Sequence, residues 1–450
     1  MSKPIVAIIG RQNVGKSTLL NRVVGKPVAI IEDLPGTTRD RIFADTSWHG
    51  VEFTLVDTGG LETKLDTSLA RGIREQTEAA VAEADVIVFL ADVKDGLMPT
   101  DMEIADLLRR AGKFVVLVAN KADSAKLDSQ AAEFNKLGFA EPLAISAQHG
   151  RGVAELLDKV VTLLPSPAPA AEKPIAGMKV AIVGRPNVGK SMLLNALVGE
   201  ERVVVDEIPG TTRDAIDTKL DFEGQSVLLI DTAGIRRRGR VERGVEWYSV
   251  IRALRAIDRA DVVLLVLDAT ELVAAQDTHI AGYVQQAARG IILIVNKWDL
   301  VANKKTEEYT SYIQSRLKFV PYAPILYVSA KLGQGVKKIM PLVSRVYQER
   351  LLRIPDEDLS NVVREAVSAH VIPRRGKKEL KILQVAQSGI KPPTFFFLVN
   401  DAKLIHFSYQ RYLENRLRQV FGFIGTPVRL IFKTKEVSHA ASYVHFRTGN

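Results

Sequence analysis

Cysteine is absent from the 450 residues, which removes disulfides, thiolate nucleophiles and cysteine-ligated zinc or iron–sulfur sites together. The seven histidines, at 49, 149, 279, 370, 406, 439 and 445, never fall into a metal-ligand spacing such as HExxH. Any bound metal is therefore expected to be a hard ion held by oxygen. Long apolar runs are missing as well. The longest, such as residues 262–267, have the length of a buried strand and fall far short of the ~18–20 residues of a membrane span. Met1-Ser2-Lys3-Pro4 leads straight into a strand-like run with no signal-peptide layout. The expectation is a soluble cytoplasmic protein with no membrane partner.

What is present has the balance of ordinary globular protein, 46% apolar and 25% charged. At ~100–200 residues per domain the length suggests two to four domains. The net charge is +9, yet residues 351–450 alone hold 16 Lys/Arg against 8 Asp/Glu. A focused basic segment suggests an acidic partner, most simply nucleic acid; a solvated basic face is the plain alternative.

A large internal repeat organises the chain. Gly10, Arg11, Gln12, Asn13, Val14, Gly15, Lys16 and Ser17 return 174 positions later as Gly184, Arg185, Pro186, Asn187, Val188, Gly189, Lys190 and Ser191. Pro35-Gly36-Thr37-Thr38-Arg39-Asp40 returns as Pro209-Gly210-Thr211-Thr212-Arg213-Asp214, and Asp57-Thr58-Gly59-Gly60 as Asp231-Thr232-Ala233-Gly234, at the same offset. Asn120-Lys121-Ala122-Asp123 and Asn296-Lys297-Trp298-Asp299 lie 176 apart. A period this long means two complete domains in tandem. The Pro- and Ala-rich stretch between them reads as a semi-rigid linker. Apolar runs at 53–56, 86–90 and 114–118, and at 227–230, 262–267 and 291–295, alternate with helical stretches. The expected fold class is α/β, two P-loop domains with mainly parallel sheets covered by helices on both faces. The expected boundaries are 1–164, a linker 165–176, 177–350, a third domain 351–440 and a tail 441–450.

Each repeat carries the parts of a nucleotide site. Gly10-x4-Gly15-Lys16-Ser17 follows a strand and opens a helix, the context of a phosphate-binding loop; Lys16 and Lys190 would bridge β- and γ-phosphates, and Ser17 and Ser191 would ligate Mg²⁺. Asp57 and Asp231 end apolar strands and fit carboxylates holding the Mg²⁺ water shell, while Gly60 and Gly234 can offer an N–H to the γ-phosphate. Thr38 and Thr212 are the expected switch hydroxyls closing on Mg²⁺ and γ-phosphate. Base identity comes from Asn120-Lys121-x-Asp123 and Asn296-Lys297-x-Asp299: a carboxylate accepts two parallel bonds from guanine N1–H and N2–H₂, a donor pair adenine lacks. Ser146-Ala147 and Ser329-Ala330 would add a backbone N–H to the guanine oxygen. The substrate is thus expected to be GTP, at two sites.

Leu61 and Ile235 stand where small signalling GTPases place a water-orienting Gln. Intrinsic turnover is expected to be slow or helped by another group. Asn13 and Asn187 match the position at which some GTPases with this apolar replacement bind K⁺; an Asn that only shapes the loop is the alternative. Met192 replaces the hydroxyl that the first repeat keeps as Thr18, so the second site should bind nucleotide more weakly than it would with threonine there.

Residues 351–440 do not repeat this pattern. Leu359, Val362, Val363, Ala366, Val367 and His370 follow helical spacing. A basic turn at 374–378 leads to strands near 380–387 and 395–399, then a helix over 409–420 burying Leu413, Leu417 and Val420 and exposing Arg411, Arg416 and Arg418, and a last strand over 428–432. This order resembles a KH-type RNA-binding module. Gly422-Phe423-Ile424-Gly425 fits the letters GxxG but reads as a hydrophobic turn, Phe395-Phe396-Phe397 as core, and His370 as a packed core histidine. Arg236-Arg237-Arg238-Gly239-Arg240 is either an RNA-pairing switch or a solvated loop.

Taken together, the two Gly-Arg-x-Asn-Val-Gly-Lys-Ser loops, the two Pro-Gly-Thr-Thr-Arg-Asp switches, the linker and Arg411-Tyr412-Leu413-Glu414-Asn415-Arg416-Leu417 resemble the bacterial tandem GTPase family Der, also called EngA, over nearly the whole chain. The resemblance implies a GTPase of large-subunit ribosome assembly, with the ribosome (rRNA and ribosomal proteins) as partner and the chain itself a monomer. A non-enzymatic RNA scaffold is the rival from another class. A tRNA-modification GTPase shares the switch sequence but carries one G domain and a C-terminal cysteine motif.

Overall fold

The computed structural model describes residues 3–24, 43–58, 81, 84–165, 177–199, 203–209, 216–232, 246–271, 273–302, 305–370, 374–375 and 378–435. The chain divides into two compact units, Met1–Ala287 with Leu293–Pro321 and Ile325–Lys338, and Ala288–Ile292 with Tyr322–Pro324 and Ile339–Asn450.

The first repeat contains β1 (Ile5–Ile9), α1 (Lys16–Val24), β2 (Phe43–Trp48), β3 (Val51–Asp57), β4 (Val86–Asp92), α2 (Pro99–Ala111), β5 (Phe114–Asn120), α3 (Ala125–Gln130), β6 (Leu143–Ala144) and α4 (Val153–Leu163). Its six strands lie in the order β2-β3-β1-β4-β5-β6, parallel except for β2 against β3. Strand side chains alternate faces, and β1 shows the result. Ile5, Ala7 and Ile9 join a core that includes Ile104, Ala105 and Leu108 of α2, while Val6 and Ile8 join one with Leu19 and Leu20 of α1 and Leu156, Leu157 and Val160 of α4. Because both faces are covered, the central strands read as unbroken apolar runs, not as alternating ones.

The second repeat follows suit with β7 (Met178–Val183), α5 (Lys190–Val198), β8 (Val203–Pro209), β9 (Ile216–Phe222), β10 (Gln225–Ile230), α6 (Glu246–Arg259), β11 (Val262–Asp268), α7 (Ala275–Gln286), β12 (Gly290–Asn296), α8 (Thr306–Arg316), β13 (Ile325–Tyr327) and α9 (Ile339–Leu351). Its sheet runs β13-β12-β11-β7-β10-β9-β8, and β11 and β12 are buried along their whole length. In both repeats the loop between the first strand and first helix emerges at the carboxyl ends of parallel strands, where open α/β sheets bind ligands.

Beyond α9 come α10 (Asp356–Ala369), β14 (Arg374–Arg375), β15 (Lys378–Glu379), β16 (Ile382–Gly389), β17 (Thr394–Val399), α11 (Phe407–Phe421) and β18 (Arg429–Thr434). The sheet order is β16-β17-β18, antiparallel then parallel. Phe395 and Phe397 are buried in a core shared with Leu359, Val363, Leu413 and Leu417, whereas Phe396, on the opposite face, has Lys433 Nζ 6.0 Å from its ring centroid. The Gly422–Gly425 turn buries Phe423, whose ring meets Phe395 edge-on at 5.8 Å. Gly425 donates its N–H to Tyr322 O at 2.9 Å and accepts from Ile291 N–H at 2.7 Å, so Ala288–Ile292 and Tyr322–Pro324 are bonded into this unit.

Three expectations here need correction. His370 is exposed, not core: α10 ends at Ala369, and His370 caps it in extended backbone with its ring 4.3 Å from that of Tyr412. Val420 is 46% exposed, because the stripe that carries Tyr409, Leu413 and Leu417 has turned away from the core by the last turn. Arg418 is an internal staple. Its guanidinium lies over the Tyr322 ring at 4.4 Å, bonds Glu414, and donates to Phe423 O and Thr426 O at 2.9 Å.

Candidate functional site

Lys16 sits at the start of α1 and turns its Nζ back into the preceding loop, donating to Gly10 O and Arg11 O at 2.8 Å each. Lys190 repeats this with Gly184 O at 2.7 Å and Arg185 O at 2.6 Å. The ammonium is thereby fixed inside the loop that leads into a helix N-terminus, an arrangement suited to a phosphate chain. Asn13 and Asn187 hold φ of +62° and +64°, a region where Asn is enriched, and both are exposed. Gly15 and Gly189 hold φ of +98° and +95°, and a Cβ on either would collide with the side-chain amide of Asn120 or Asn296.

That close approach has a purpose. Asn120, buried at the end of β5, donates from Nδ2 to Val14 O at 2.7 Å and accepts at Oδ1 from Ala147 N–H at 3.0 Å. Asn296 makes the same two bonds, to Val188 O at 2.9 Å and from Ala330 N–H at 3.0 Å. One amide in each repeat ties the phosphate loop to the Ser-Ala loop, so the Ala147 and Ala330 N–H groups, expected to face a guanine oxygen, already have a partner here. The lysines of these motifs, at φ of +65° and +63°, ion-pair with the buried strand-end acids Asp92 and Asp268.

Around Asp123 the carboxylate receives Ser146 Oγ at 2.7 Å and Lys94 Nζ at 2.6 Å, and these two bonds hold its pKa below the usual range. Asp299 has no ion pair or hydrogen-bond partner among the described residues. Its neighbour Trp298 places its ring 4.4 Å from that of Tyr327 and edge-on to Tyr309 at 5.0 Å; the equivalent of Trp298 is Ala122, which is fully buried.

Asp57 is fully buried at the end of β3 and accepts from Ser17 Oγ at 2.5 Å. A hydroxyl and a carboxylate thus meet beside the phosphate loop, a pair of hard oxygen donors that fits Mg²⁺. Thr58 Oγ1 donates to Ile8 O at 2.9 Å, pinning the strand end. In the second repeat the corresponding strand end is held by further bonds. Asp231 adopts φ +55° and donates its N–H to Asp217 Oδ1 at 2.9 Å, Asp217 pairs with Arg259, and Thr232 shares a hydroxyl bond of 2.8 Å with Thr218. Thr38, Gly59, Gly60, Leu61, Thr212, Ala233, Gly234, Ile235 and the 236–240 basic run lie outside the described residues.

Sequence reasoning missed the anchors of the phosphate-loop arginines. Arg11 pairs with Asp95 at 2.7 Å and approaches the fully buried Asp101 at 3.6 Å; Arg185 pairs with Glu271 and with the fully buried Asp277 at 3.1 Å. Burial pushes both Asp101 and Asp277 up in pKa, outweighing the backbone N–H and arginine that pull them down. The signal was available, since each of these acids recurs at the 176-residue offset of the two Asn-Lys-x-Asp motifs.

Comparison with known proteins agrees with this geometry. A family model described as a 50S ribosome-binding GTPase matches residues 5–121 and again 179–297. Another, the KH-domain-like C-terminal region of EngA bacterial GTPase enzymes, matches 353–433. The GTPase Der of Moorella thermoacetica is 52% identical over 435 residues, 96% of this chain and 99% of its own. That of Desulfitobacterium hafniense is 50% identical over 440 residues, 97% and 99% of the two chains. The chain belongs to the GTPase Der family.

Among solved structures, Era in complex with MgGDPNP and nucleotides 1506–1542 of 16S ribosomal RNA is similar at 24% identity, with a TM-score of 0.29 and coverage of 57% of this chain and 92% of its own. As a member of the Der family the protein is a GTPase with two G domains and a KH-like C-terminal domain, and its ligands are guanine nucleotides, typically with Mg²⁺.

Proposed function

We propose that the two G domains form a slow molecular switch that acts in assembly of the large ribosomal subunit, docking on ribosomal particles according to the nucleotide bound. The reading is carried by one combination in one chain: two base-to-phosphate bridges, through Asn120 and Asn296, joined to a basic segment that matches the EngA KH-like model. The first family model's description as ribosome-binding supports the partner. A cytoplasmic location follows from that partner; among the described residues no helix is long and apolar enough to cross a membrane.

In this reading Asp123 and Asp299 accept the two guanine N–H donors, with Ala147 and Ala330 sharing their N–H groups between the asparagine and the guanine oxygen. Lys16 and Lys190 meet the β- and γ-phosphates, and Gly60 and Gly234 give an N–H to the γ-phosphate. Ser17, Thr38 and Asp57, and Ser191, Thr212 and Asp231, would hold Mg²⁺, which supplies charge neutralisation along the phosphate chain. Cleavage would release Thr38 and Thr212 from that contact and so change what the switches present.

Two experiments test the reading. Co-sedimentation with purified ribosomal particles should show stronger binding to large-subunit particles with a non-hydrolysable GTP analogue than with GDP; equal binding in both states sinks the proposed docking. Turnover should also be at least about tenfold faster in K⁺ than in Na⁺, a small part of what an arginine finger supplies. Replacing Asn13 and Asn187 by alanine should abolish that difference, and equal rates in the two salts would leave the asparagines as loop-shaping residues only.

A further inference from the structure

The two turns that follow β4 and β11 share one hydrogen bond and have opposite consequences for the neighbouring base motif. Lys94 N–H donates to Asp92 Oδ1 at 2.9 Å, and Thr270 N–H donates to Asp268 Oδ1 at 2.9 Å. The side chains then diverge. Thr270 folds back on Asp268, Oγ1 to Oδ1 at 2.7 Å, whereas Lys94 extends to Asp123 Oδ2 at 2.6 Å. Ser146 takes the other oxygen of Asp123 at 2.7 Å and His149 Nε2 stands 4.0 Å from it. Asp299 has neither a cation nor a donor on its carboxylate among the described residues.

Guanine needs both oxygens of the carboxylate at once, one for N1–H and one for N2–H₂. A serine hydroxyl can rotate and share its oxygen, but an ammonium on Oδ2 draws off the negative charge that makes the bidentate contact strong. We propose that Lys94 is a specificity-determining residue of the first site: it competes with guanine for Asp123 and loosens guanine nucleotides there, while the second site, with Thr270 in its place, has no such competitor among the described residues. The inference rests on the base-reading role given above to Asp123 and Asp299.

The test uses the full chain. Asp299→Asn removes guanine reading from the second site, so GDP should bind with a stoichiometry of one and report the first site. In that background Lys94→Thr tightens GDP by about two- to fivefold at low ionic strength, the range of an exposed ion pair, and the gain shrinks as salt is added. In the reciprocal Asp123→Asn background, Thr270→Lys weakens GDP at the second site by a similar factor, and Lys94→Thr leaves xanthosine diphosphate binding at the first site unchanged because the contested carboxylate is gone. Weaker or unaltered GDP binding in Lys94→Thr overturns the proposal. A stoichiometry of two in Asp299→Asn overturns the base-reading assignment itself, and the proposal with it.

Discussion

Replacing Lys16 and Lys190 together by alanine is expected to lower steady-state GTP turnover by at least about 10²–10³-fold, the range for loss of one preorganised donor aimed at developing charge. Each ammonium is held by two loop carbonyls at 2.6–2.8 Å, so it is positioned before substrate arrives and loses little on binding. Each single variant should retain only the activity of the other site, which apportions turnover between the halves. A thermal melt of the double variant close to that of the parent would show that the loss is chemical. Turnover surviving in a folded double variant would mean that these two ammonium groups do not carry the chemistry.

Asn120→Ala should strongly destabilise the first G domain. It strips partners from Val14 C=O and Ala147 N–H, both buried, and an unmet buried group costs about 1–3 kcal/mol. The first unfolding transition in urea should therefore fall by on the order of 3 kcal/mol, with GDP affinity at that site falling too, because phosphate loop and base loop are no longer tied. Asn120→Asp separates the two bonds: it keeps an acceptor for Ala147 N–H but sets a buried carboxylate oxygen against Val14 O, and should be at least as destabilising as alanine at neutral pH. Stability unchanged in Asn120→Ala would mean that the bridge contributes nothing.

Most of the frame was legible because it is written twice. The strand-end runs, phosphate loops and Asn-Lys-x-Asp motifs recur at fixed offsets, and the sheets follow from apolar runs too short for anything but buried strands. What escaped has particular physical causes. Lys94 and Arg22 belong to the first repeat alone, Arg22 donating to Ala147 O at 2.9 Å, and a reading built on repetition passes over residues that differ. Arg418 looked like an exposed basic residue, since charge pattern says nothing about the carbonyls at the following turn that a guanidinium can collect. His370 followed the helical period, but a period does not say where a helix stops.

Trp298 gives the two sites different visibility under ultraviolet light. Its indole sits between Lys297 and Asp299 and packs on Tyr327 and Tyr309, and indole emission responds to the polarity and ring contacts around it. Ala122 holds the same place in the first repeat, and an alanine does not fluoresce. A base arriving beside Asp299 therefore acts on a built-in fluorophore, whereas one arriving beside Asp123 finds none in its motif. The second site thus carries an indole inside its base motif, and the first does not.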